Sequence, residues 1–221
     1  METKIKSLED LKNIFLTNPL LGLSKNDVTK DVQERFEQIA KCLFEDFIIC
    51  CGEKIFRFAE LEFYYYKFGE WNEGWNKETY PRNNKHAGDL FFHYSGVDLC
   101  FESHIKDKDA EYGGILIRSL LDGNNILAGP SYCENIMLNS CLESLPKLDL
   151  GEHKNYTLKP TKRYNIKSDQ QNSMKLNLCY YAHAFEGNEL DWDNTCVRKD
   201  WDKKLEKFKS VKRKYLQERN F

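Results

Sequence analysis

The run Lys54 to Tyr66, KIFRFAELEFYYY, constrains the fold more than any other stretch of this chain. It follows a segment of helical periodicity, and at this point the period changes to that of a strand. Side chains alternate along an extended backbone, so Glu60, Glu62, Tyr64 and Tyr66 share one face. The preceding FIICC (47 to 51) reads as a second strand, joined to the first across Gly52-Glu53 in a hairpin. A strand with two acids and two rings on one face needs a chemical explanation.

The elements around this hairpin suggest the architecture. Ser7 opens SLEDLKNIF, where Ser-x-x-Asp resembles a capping box and Leu8, Leu11, Ile14 and Phe15 form a helical stripe ending before Asn18-Pro19. A second helix is predicted from about Lys30 to Asp46, with Val32, Phe36, Ile39, Ala40 and Leu43 on its apolar side. Residues 67 to 87 read as a long functional loop containing Trp71 and Trp75. Strands are predicted over 89–95, 97–103 and 113–121 and within 156–166 and 175–185, with a turn at 122–125 and a short helix over 131–142. Trp201, Leu205, Phe208, Val211 and Tyr215 recur at helical spacing near the end and predict an amphipathic helix with a basic outer face. The order of elements is that of an α+β fold: one domain with a curved antiparallel sheet and helices at its periphery. Its divisions are an N-terminal helical extension (1–28), a main domain (29–198) and a docked C-terminal helix (199–221).

Composition narrows the functional classes. Of 221 residues 41% are apolar, enough for a sizeable core, and no apolar run approaches the roughly 20 residues that span a bilayer. A net charge of −2 supplies no general attraction for phosphates, although local basic patches remain possible. The eight cysteines include no C-x-x-C, and most lie in apolar stretches, so buried free thiols are expected rather than disulfides or zinc. A cytoplasmic monomer without metal or other cofactor is the resulting expectation.

Residues 36 to 137 resemble the alkyladenine (3-methyladenine) DNA glycosylases, which excise damaged purines from a flipped nucleotide. The family's E-T-E-A-Y motif, preceded by a helix and a hairpin, resembles Glu60-Leu61-Glu62-Phe63-Tyr64. Its T-P-R-N resembles Tyr80-Pro81-Arg82-Asn83, and its Gly-x-Leu-Tyr-Val-Tyr strand resembles Gly88 to His93, followed by Gly96 and Cys100-Phe101-Glu102. Its V-L-L-R-A-L is similar to Ile115 to Leu120, and its Ser-Gly-Pro turn to Ala128-Gly129-Pro130-Ser131. The resemblance implies a methylpurine-glycosylase-like fold in which Glu62 activates water, Tyr64 stacks on the base, and Arg118 lies near sugar and phosphate. Glu60 and Gly129 would complete the binding site.

The departures fall on the DNA side. The loop after the motif has no His, leaving Trp71 or Trp75 as the other wall, and the second stacking Tyr falls on His93. The intercalating Tyr before Gly falls on Ser95, the Asn after Cys on Glu102, and a Lys on Tyr132. Duplex DNA is the substrate implied by resemblance; a free nucleotide or a single strand needs the pocket but not the wedge.

The chemistry of the residues agrees with either substrate. Cleaving an N-glycosidic bond passes through an oxocarbenium-like state, which calls for a carboxylate to deprotonate water and an aromatic wall for the base. Each residue also has a plainer reading: Glu60 paired with Arg or Lys, Tyr64 a core ring, His93 a hydrogen-bonded core histidine or an orienting partner of Glu62, Arg118 a bridge to Glu60 or Glu102. His86 and Asp98 stand beside the site as further candidates. Binding of a nucleotide without cleavage is the alternative function, and a structural or interaction role with a vestigial pocket is the third.

Overall fold

A computed structural model describes residues 5–17, 19, 28–68, 82–93, 95–104, 110–140, 145–163 and 176–192. Trp71, Trp75, the intended helix over 199–221, and Cys141 and Cys196 lie outside the described residues. Among the described residues no helix is long and apolar enough to cross a membrane, and no group of His, Cys, Asp and Glu has the arrangement of a metal site.

The chain starts with helix α1 (Leu8–Leu11), capped by the Ser7 side chain, which accepts from the Asp10 N–H at 3.0 Å. The return contact expected of a capping box goes one residue further out, since Asp10 Oδ2 accepts from the Lys6 N–H at 2.9 Å. The helix widens into a π-helical turn (Lys12–Leu16), closed by Thr17 N–H to Lys12 C=O at 2.7 Å. Leu11, Phe15 and Leu16 are buried in the main core, so this first segment packs as part of the domain body. Ser7→Ala removes the cap and is expected to cost about 1 kcal/mol, measured by urea unfolding.

Helix α2 (Val28–Asp46) buries Val32, Phe36, Ile39, Ala40 and Leu43, the predicted stripe. It leads directly into β1 (Phe47–Cys51), which turns at Gly52 (φ 62°) into the long β2 (Lys54–Lys67). Then come β3 (Leu90–His93), β4 (Gly96–Cys100), β5 (Glu111–Asp122), β6 (Asn125–Ala128), α3 (Pro130–Ser140), β7 (Lys147–Leu150), β8 (Tyr156–Thr161), β9 (Cys179–Phe185) and β10 (Asn188–Glu189). Strands β6, β7 and β10 are too short to carry a legible alternation, and sequence reasoning placed a turn or nothing there.

All the strand pairs are antiparallel, and the described strands form a single sheet that curls strongly into a half-barrel. This is the mixed α and β architecture with a curved antiparallel sheet that the element order predicts. Strands β2 and β5 form its spine, paired from Arg57–Leu121 to Lys67–Glu111. Each changes its outer neighbour along its length. Strand β2 pairs with β1 at its start and β9 at 60–62, while β5 pairs with β4 at 114–116 and β6 at 119–122. Register breaks on β2 and β5 lie where these exchanges occur, and bulges of this kind add bend and twist.

The breaks also reassign faces. Phe58 packs edge-on to Phe44 in the helix-side core, and Leu61, Phe63 and Tyr65 point to the same side. There Phe36 of α2 stacks on Phe63 with ring centroids 4.7 Å apart. Ala59 and Glu60, two successive residues, both turn to the opposite face, which strict alternation does not allow; the bulge permits it.

Candidate active site

The face away from α2 collects the chemistry. Cross-strand register places Asp98 (β4), Leu116 (β5), Glu62 (β2) and Cys179 (β9) in one row, and Cys100, Gly114 and Tyr64 in the next. The break between Leu61–Ile117 and Glu60–Ser119 leaves Arg118 without a direct partner, so its side chain reaches across to β2. Its Nε lies 3.0 Å from Glu60 Oε1 and its Nη1 2.6 Å from Glu62 Oε2. The predicted group Glu60, Glu62, Tyr64 and Arg118 is therefore brought together.

Glu62 is fully buried, and both its oxygens are engaged: Oε2 by Arg118 and Oε1 by the Tyr64 hydroxyl, which donates to it. Glu60 accepts from Arg118 on Oε1 and from Ser119 Oγ on Oε2 at 3.1 Å, and the Cys179 thiol lies 3.4 Å from Oε1. The reading of Glu60 as the partner of an arginine holds. The two acids are spanned by one planar cation, and the bridge from Arg118 to Glu102 does not form. Glu102 instead accepts from the Ala87 N–H and meets His86 Nδ1 at 2.9 Å, at the protein surface.

The electrostatics favour one charge state for the arginine and the phenol. Burial alone lowers the affinity of Arg118 for its proton, but Glu62 and Glu60 outweigh it, and the guanidinium is held charged more firmly than usual. Burial, reinforced by the Glu62 charge and hydrogen bond, raises the Tyr64 phenol well above its ordinary range, so it remains a donor. The thiol of Cys179 is likewise pushed up by burial and by Glu60 and Glu62.

Around Tyr64 the sheet places two residues that sequence reasoning did not assign to the site. The Arg82 guanidinium lies 4.7 Å from the centre of the Tyr64 ring and that of Arg163 4.9 Å from it. Arg163 also donates from Nη1 to the Phe63 carbonyl at 2.8 Å. Arg82 runs over Gly114, where an added Cβ would come within 3.0 Å of Arg82 Cδ. Its neighbour Gly113 allows the close approach of β2, since a Cβ there would lie 2.3 Å from the Tyr64 carbonyl. The adjacent glycines in EYGGILI were the available signal, because glycine inside a strand marks a place where something approaches the backbone. Nothing comparable points to Arg163, which arrives from beyond β8 by tertiary contact alone. Tyr66, on the same face, stacks on Tyr112 at 4.9 Å.

Asp98 anchors the other side. It is fully buried, 2.8 Å from Arg82 Nη2 and 3.0 Å from His93 Nε2, although neither contact has hydrogen-bond alignment. Burial raises an isolated carboxyl; here Arg82 and His93 overcome it, and Asp98 is held below the usual carboxylate range. His93 thus faces Asp98 through Nε2 and Ser95 through Nδ1. Gly129 stands next to the cluster through its backbone, donating its N–H to the Arg118 carbonyl at 2.8 Å, with φ 112° before α3.

The described residues thus define a mixed α and β domain, with a curled antiparallel sheet whose second face carries three acids and three arginines around one tyrosine. No protein-family model matches the chain, and no curated protein is significantly similar to it.

Proposed function

We propose that this protein is an N-glycosidic hydrolase that recognises a purine-type base, with Glu62 as its general base. The observation that carries this reading is Glu62 itself: a wholly enclosed carboxylate, held by Arg118 and Tyr64 on a sheet face beside a tyrosine ring. Each carboxylate oxygen has two lone-pair directions, so each retains one for a water. Water then gives its proton to Glu62 as its oxygen bonds to the anomeric carbon, and the base departs with the electrons of the glycosidic bond. Arg118 keeps Glu62 oriented, and the resemblance to the alkyladenine glycosylases assigns it to the sugar and phosphate. Tyr64 serves as a stacking wall, and the planar Arg82 and Arg163 guanidiniums occupy positions against its ring that a planar base takes over.

The net charge of −2 and Ser95 in place of an intercalating ring favour a nucleotide or single strand over duplex DNA as substrate. A second reading, capture of a nucleotide without cleavage, is favoured by the two hydrogen bonds already made by Glu62 and by the three arginines, which suit a phosphate. Incubation with alkylated DNA, deaminated DNA and free purine nucleotides, followed by chromatography of released base, separates the two. The hydrolase reading expects base release and a roughly 10²- to 10⁴-fold loss of rate in Glu62→Gln. Undiminished release in that variant removes Glu62 as the base. Calorimetric binding of an intact nucleotide, with no release by the native protein, supports capture instead.

A further inference from the structure

The hairpin joining β3 and β4 carries a second set of groups, of which only Asp98, through Arg82, touches the proposed base-recognising site. His93 is the last residue of β3, Ser95 lies in the turn and is exposed, and Asp98 sits buried on β4. Ser95 Oγ lies 3.0 Å from His93 Nδ1, and the Ser95 N–H also approaches that nitrogen at 3.3 Å. On the other side of the ring, His93 Nε2 lies 3.0 Å from Asp98 Oδ2. Because the Ser95 N–H donates to Nδ1, that nitrogen is an acceptor, and the proton of a neutral ring lies on Nε2, toward the acid. The order hydroxyl, imidazole, buried carboxylate is the one that activates a serine.

We propose that Ser95 is a nucleophile toward acyl esters, with His93 as its base and Asp98 as the group that orients His93. Arg82 Nη2, 2.8 Å from the same Asp98 oxygen that faces His93, holds the acid in place and balances its charge. The off-line alignment of the Asp98 contact is of the loose kind that catalytic hydrogen bonds show before a ligand binds. Gly96, next in the turn, presses on the start of α3: an added Cβ would come within 2.8 Å of Pro130 Cβ and 3.3 Å of the Pro130 carbonyl carbon. The positive end of an 11-residue helix therefore abuts the turn residue that follows Ser95, and its field favours negative charge on an attacked carbonyl oxygen.

Ser95 Oγ bonds to the carbonyl carbon while its proton moves to His93 Nδ1; the alcohol leaves, taking that proton, and an acyl-Ser95 ester remains. Water, deprotonated by the same nitrogen, then bonds to the acyl carbon; the acyl–Oγ bond breaks, the acid leaves, and Ser95 Oγ takes the proton back from His93. The test uses the full chain and a fluorophosphonate probe, which forms an Oγ–P bond with loss of fluoride, read by intact mass and peptide mapping. Expected are one adduct, placed on Ser95, none on that peptide in Ser95→Ala, and labelling at least about tenfold slower in His93→Gln, folded by circular dichroism. Absence of a Ser95 adduct in the native protein, under conditions that label a known serine esterase, overturns the proposal and leaves Ser95 as a turn cap. Labelling of His93→Gln at the native rate does the same for the role of His93. Base release plays no part in the readout, so this proposal and the role of Glu62 stand or fall separately.

Discussion

Arg118→Met is expected to destabilise the protein by about 3–5 kcal/mol, because removing one partner from a buried ion pair leaves uncompensated charge behind. Here the change leaves two acids. Glu62 is fully buried and loses its 2.6 Å contact with Arg118, keeping only the Tyr64 hydroxyl, while Glu60 keeps Ser119 and the Cys179 thiol. A methionine fills most of the volume of the arginine stem, so cavity formation adds little and the loss reports on charge. For a domain of this size the expected fall in Tm is about 6–20 °C, measured by differential scanning calorimetry. The double variant Arg118→Met, Glu62→Gln is expected to recover a large part of the loss, since the amide removes the buried charge. Equal stability of the two variants contradicts the account, because it means that Glu62 carried no penalty once alone.

The second large effect concerns Asp98 and acid. Asp98→Asn leaves the Arg82 guanidinium, 3% exposed, beside a neutral amide, with an expected cost again of about 3–5 kcal/mol. The acid limb tests the cause. The folded-state carboxyl is held below its unfolded value, so the unfolded chain binds the additional proton as pH falls. The stabilisation is present in full above an unfolded pKa of about 4 and is lost as pH falls through that value toward the folded one. Stability of the native chain measured from pH 7 to pH 2 is therefore expected to decline more steeply below about pH 4 than that of Asp98→Asn. Parallel acid limbs in the two proteins exclude the Arg82–Asp98 contact as the source.

The arrangement around Tyr64 raises a question of order on ligand entry. The ring now has two guanidiniums for neighbours, and both belong to arginines that are nearly wholly enclosed. In the proposed hydrolase one of them moves as the base arrives, exchanging a cation over the ring for a stacked base. Arg82 is restrained by Asp98 at 2.8 Å and Arg163 by the Phe63 carbonyl, also at 2.8 Å. Displacing either guanidinium from the ring disturbs one of these contacts.

Much of this was legible in the chain. The apolar stripe from Val32 to Leu43 specified α2, and alternation along KIFRFAELEFYYY placed Glu60, Glu62, Tyr64 and Tyr66 opposite the helix-facing Leu61, Phe63 and Tyr65. Both patterns are local, set by 3.6- and 2-residue geometry, and need no knowledge of distant segments. What local pattern cannot supply is which cation meets which acid. Arg118 reaches both glutamates because register breaks on two strands coincide, turning Ala59 and Glu60 to one side and freeing Arg118 to cross. Arg82 fits because Gly114 has no side chain, Arg163 comes from 100 residues beyond Phe63, and Asp98 meets His93 diagonally across the β3–β4 pair, where the register sets His93 opposite Gly96. The sequence by itself determined the faces of the strands and the acids and rings they carry. Only the tertiary structure decided how those charges are compensated, because compensation depends on strand order and register, which bring together residues that no local period relates.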